Sequence, residues 1–107
     1  MLLLFDQVAS YLDDPDWLVR KTAAHYLGEM GKGAAQHAKA VAVLLTDKTT
    51  HCRKEAVIAL AKMGETADTH LGLNAVVGRL IGNKFGSCDT SPIVRKAALT
   101  HLPSMGY

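Results

Sequence analysis

The sequence predicts an all-α fold: a solenoid of three helical hairpins in series, about six helices in a single domain spanning 1–107. Two observations predict it. A twelve-residue pattern, Arg-Lys-x-Ala-x-x-x-Leu-x-x-Met-Gly, occurs three times, at Arg20 to Gly31, Arg53 to Gly64 and Arg95 to Gly106. Three matches over that length are no accident of composition, and self-similarity of this kind marks a repeat architecture. Within each copy the apolar residues also recur with the 3.6-residue period of one helix face.

Each copy extends upstream in the same way. An Asp (Asp14, Asp47, Asp89) stands six residues before the Arg, and a good helix N-cap (Asp16, Thr49, Ser91) stands four before it. Every unit therefore reads as turn, cap, a helix of about four turns, then a Gly suited to the left-handed closing position. Pro92 follows its cap directly, at the first helical position, where a missing N–H costs nothing.

The predicted inward stripe holds Val19, Ala23, Ala24, Leu27 and Met30 in the first of these helices. It holds Cys52, Ala56, Val57, Leu60 and Met63 in the second, and Val94, Ala98, Leu99, Leu102 and Met105 in the third. The small Ala repeated in each copy allows neighbouring helices a close approach. The opposite face carries Lys21, His25 and Glu29, then Lys54, Ile58 and Lys62, then Lys96 and Thr100.

A partner helix precedes each of these, over 2–12, 34–45 and 66–82. The repeats thus run about 1–31, 32–64 and 65–107. Hairpins that each expose a long apolar stripe bury it by stacking. The spacing between motif arginines is 33 residues, then 42, so the third unit carries an insertion near 82–88, with Phe85 and Cys88 in it. Pro103 falls inside the third copy and predicts a helix that ends or kinks near Leu102. Leu2, Leu3, Leu4 and Phe5 surround a helix that no earlier hairpin covers, which points to a piece of a longer array or to self-association through the apolar N-terminal helix.

Composition bounds the function. A hydrophobic fraction of 49% and a charged fraction of 21% describe a globular chain. A net charge of +2 is too small to argue for nucleic acid or an anionic membrane. The longest apolar runs fall far short of a membrane span, and no basic residue precedes the first leucines, so no secretory leader is expected. Two cysteines 36 residues apart make no disulfide framework, and a reducing compartment, cytoplasmic or nuclear, is expected. Cys52 stands where the other copies have Val and reads as a small buried hydrophobe. His37 and His70 occupy matching positions, but equivalent points on stacked helices lie roughly 8–10 Å apart, too far to share one metal ion. No nucleophile elbow, phosphate loop or Cys-x-x-Cys is present, and no cofactor is expected.

The repeating unit, Asp14…Val19-Arg20…Gly31 and Asp89…Val94-Arg95…Gly106 with Cys52 for Val in the middle copy, resembles HEAT repeats, notably the short type of phycobilin-lyase-like HEAT proteins. The resemblance spans nearly the whole chain. It implies a right-handed solenoid and a structural ladder between neighbouring units, built from Asp14, Asp47 and Asp89 with Arg20, Arg53 and Arg95. Some HEAT proteins are di-iron hydroxylases bearing His-Glu pairs; no His here is followed by Glu. A chromophore lyase is also conceivable by resemblance, but three hairpins would form only part of its groove.

The resemblance implies a non-catalytic scaffold for a protein or peptide partner, bound on the face lined by the second helix of each repeat. Candidate contacts there are Lys21, His25, Lys54, Ile58, Lys62 and Lys96. The alternative is nucleic-acid or anionic-ligand binding through the three motif lysines, against which the nearby Glu29 and Glu55 weigh. A solvated helix surface would carry the same lysines.

Overall fold

The computed structural model describes residues 2–63 and 91–101, and all regular structure among them is helical. Helix α1 (Leu2–Ala9) tightens into a 3-10 turn over Ser10–Asp13. The chain then extends at Asp14 (φ −61°, ψ 144°). The Asp14 carboxylate accepts the Asp16 N–H at 2.9 Å, and Asp16 accepts the Leu18 N–H at 2.9 Å as N-cap of α2 (Trp17–Glu29). Two short acidic side chains thus satisfy N–H groups where the helix itself provides no acceptors. Gly31 closes α2 with φ +63°, a conformation glycine adopts without steric cost.

The second unit repeats this construction. Helix α3 (Ala38–Val43) passes into a 3-10 turn at Leu44–Thr46, and Asp47 extends with φ −61° and ψ 143°. Its carboxylate accepts the Thr49 N–H at 2.8 Å, and α4 follows (Thr50–Met63). Helix α5 (Pro92–His101) begins directly after Ser91, with Pro92 at its first position.

Helices α2, α4 and α5 lie side by side in that order. The core between them and the preceding helices is built from Leu27, Leu45, Val57, Leu60, Met63 and Val94, with Ala24, Ala38, Ala56 and Ala98 filling the narrow places. Alanine-rich contacts of this kind bury area by proximity rather than by bulk.

The structure corrects several expectations. The helix expected over 34–45 is α-helical only from Ala38 to Val43, because residues Gly31–His37 form 3-10 turns. Two glycines in that stretch disfavour an α start, and Gly33 lies against the Phe5 ring, where a Cβ would stand 3.3 Å from Cζ. Leu99, expected inward, is 64% exposed. Val19 and Met30 are only partly buried. The expected helix over 66–82, the insertion at 82–88, His70, Cys88, Asp89 and the Leu102–Met105 end with Pro103 lie outside the described residues.

Candidate partner-binding face and the rung between units

Arg20, in the first turn of α2, spans two units. Its Nη1 donates to the carbonyls of Asp14 (2.7 Å) and Pro15 (3.0 Å), anchoring it to its own turn. Its Nε and Nη2 donate to the two carboxylate oxygens of Asp47 at 2.8 and 3.2 Å. This two-pronged contact suits the planar guanidinium and could not be made by an ammonium. Both side chains are buried to about a tenth of their exposure. Burial pushes the Asp47 carboxyl up, but the Arg20 hydrogen bonds and charge and the Thr49 N–H outweigh it and hold it below its ordinary value. On Arg20 the Asp47 hydrogen bond likewise outweighs desolvation and raises an already high pKa.

Arg53 repeats the anchoring half of this arrangement, donating from Nη1 to the Asp47 carbonyl at 2.8 Å and from Nη2 to the Thr50 hydroxyl at 3.2 Å. Arg95 stands at the matching point of α5 and is half-buried. Asp14 spends its carboxylate locally, on the Asp16 N–H. Asp89 lies outside the described residues.

The face opposite the core stripe brings together the other candidates. Lys96, His25 and Lys62 are exposed, and Lys21, Lys54 and Ile58 are half-buried. Two pairs cross from α2 to α4. His25 Nδ1 lies 3.0 Å from Glu55 Oε1, and Lys62 hydrogen-bonds Glu29, whose carboxyl is held low by that bond. Lys21, Lys54 and Lys96 form no ion pair among the described residues.

Three features of the α2–α4 junction escaped sequence reasoning. The buried Cys52 Sγ–H donates to the Trp17 carbonyl at 3.2 Å, and burial pushes its thiol pKa up. The Trp17 ring stacks on His51 with centroids 5.5 Å apart. Gly28 approaches so near that a Cβ there would lie 2.8 Å from Ala59 Cα. Gly28 lies outside the repeated motif, so only its residue type could have hinted at this.

A groove of about 390 Å³ opens at the N-terminal end of the stack, lined by Val8, Tyr11, Asp16, Leu18, Val19, Thr22, Ala23 and Tyr26. Phe5 packs partly against the core, whereas Leu4 is exposed. His37 Nε2 stands 3.0 Å from Asp6 Oδ1 without hydrogen-bond geometry, and among the described residues it has no other partner. Among the described residues no three His, Cys, Asp or Glu side chains converge to hold a metal ion. No helix there is long and apolar enough to cross a membrane.

No curated protein and no solved structure matches the chain. A family model described as HEAT repeats matches residues 5–71. HEAT repeats are commonly protein-interaction scaffolds and typically non-catalytic. With more than half of its length matched, and with helices stacked in repeating register, the chain belongs to the HEAT repeat family.

Proposed function

We propose that the chain is a non-catalytic scaffold that binds a protein or peptide partner on the face carrying Lys21, His25, Lys54, Ile58, Lys62 and Lys96. The observation that carries this reading is the division of charge on that face. Glu29 and Glu55 are engaged with Lys62 and His25 across the α2–α4 junction. The motif lysines Lys21, Lys54 and Lys96, one per helix, remain without a carboxylate among the described residues. Neighbouring helices are roughly 10 Å apart, so an acidic segment with carboxylates at that interval would meet the lysines in turn. Ile58 adds apolar contact in the middle of the row.

The test is capture of partners from native lysate, comparing the parent with the Lys21→Glu/Lys54→Glu/Lys96→Glu variant after circular dichroism shows equal helicity. Loss of a captured protein by the variant supports the reading, and unchanged capture removes it. The alternative, a nucleic-acid or anionic ligand, would instead yield nuclease-sensitive capture with a steep salt dependence.

A further inference from the structure

We propose that the groove at the N-terminal end receives the C-terminal helix of a second copy of this chain, in a head-to-tail contact that continues the packing of α2 on α4. Positions counted from the motif Arg show why. The α2 residues that meet α4 include His25, Gly28 and Glu29, at +5, +8 and +9. Ala24, at +4, lies one turn before Gly28 on the same side and is fully buried. The α4 residues that receive this side are His51, Cys52, Glu55 and Ala59, at −2, −1, +2 and +6. Carried back one unit, those four positions are Leu18, Val19, Thr22 and Tyr26. All four line the groove. The groove is lined by the positions that in α4 receive the helix before it.

Helix α5 presents the matching donor side. Leu99 occupies +4, where Ala24 and Val57 are fully buried, yet it is 64% exposed. Sizes also correspond. Ala59 admits the Gly28 backbone closely, whereas Tyr26 at the same position holds an incoming helix further off. That wider seat suits a Leu better than the Ala it replaces in register.

Charge selects the orientation. Residues 1–19 hold four Asp and neither Lys nor Arg, and Asp16 rims the groove. Exposed Lys96 lies one turn from Leu99, and residues 91–107 hold no acid. Opposite charges meet head-to-tail, and like charges would meet head-to-head. A contact of this type joins unlike surfaces, so copies add in series beyond a dimer. It shares only Lys96 with the lysine face, and its groove and Leu99 lie outside that face.

Sedimentation of the 107-residue chain from micromolar to near-millimolar concentration tests the proposal. Thr22→Arg places bulk and positive charge in the groove, with Leu18→Arg as a second groove variant, and Leu99→Glu removes the apolar knob and adds negative charge. All three positions are exposed, and circular dichroism checks that helicity is kept. The mean mass of the parent rises with concentration and falls with added salt, and each variant alone stays monomeric. An equimolar mixture of Thr22→Arg and Leu99→Glu forms a dimer and goes no further, because one retains the knob and the other the groove. A parent that remains monomeric overturns the proposal, as does a mixture that forms no dimer. A Leu99→Glu variant that associates like the parent also overturns it, placing two grooves face to face instead.

Discussion

Two of the ion pairs between the first two units differ in what they contribute. Lys62 and Glu29 meet in solvent, where screening and side-chain entropy leave little net stabilisation. Arg20 and Asp47 meet with most of their surface covered, and the guanidinium makes four hydrogen bonds, two of them to the carboxylate. Arg20→Lys should therefore lower the melting temperature clearly, since one ammonium cannot serve both Asp47 and the Asp14 carbonyl, while Glu29→Gln should leave it nearly unchanged. Thermal denaturation of the two variants beside the parent checks this. The Asp47 carboxyl is depressed in the folded state, so its contribution is present above the ordinary carboxylate pKa and is lost as pH falls through the lower folded value. Stability of the parent should decline below about pH 4, and Asp47→Asn, already weaker at neutral pH, should decline less over that window in urea titrations. At this scale the recurrence of Asp and Arg drew attention to the right residue types. What spacing could not convey is that Asp47 turns its carboxylate toward the preceding unit and its carbonyl toward Arg53.

The helices themselves were legible where capping and periodicity agreed. Asp16, Thr49 and Ser91 immediately precede α2, α4 and α5, and the apolar stripe of α4 is buried throughout. Legibility failed where neighbours, rather than local pattern, decide. Leu99 satisfies the same periodicity as Val57, but its exposure depends on what lies beside α5. Within the 3-10 stretch Gly31–His37, Gly33 lies against Phe5, a contact between distant residues. Gly28 belongs to the same class. In an exposed helix interior, Gly→Ala stabilises by about 1 kcal/mol. Here the new Cβ would stand 2.8 Å from Ala59 Cα, part of the backbone, and overpacking typically costs about 1–3 kcal/mol. Gly28→Ala should thus be destabilising by about 1 kcal/mol net, read as a lower urea midpoint. A stabilised variant would show that the two helices separate more easily than their packing indicates.

In a repeat stack, stability is approximately a sum over units and the junctions between neighbours. The α2–α4 junction concentrates several of these terms: the Arg20–Asp47 rung, the Cys52 hydrogen bond, the Gly28–Ala59 approach and the Trp17–His51 stack. That the chain stacks could be read from its three motif copies; that this one junction carries so varied a set could not, because only the rung involves motif residues at both ends or in both turns. The stack has a practical corollary in optics. Trp17 is the chain's one tryptophan, and its indole rests on a ring belonging to the next unit. Its emission therefore reports the parting of the first two units, whereas far-ultraviolet dichroism reports helix content everywhere. In the parent the two signals should change together on heating, and in Gly28→Ala the fluorescence should move first. A single native chromophore thus separates the opening of one seam from the melting of the whole, with no label attached.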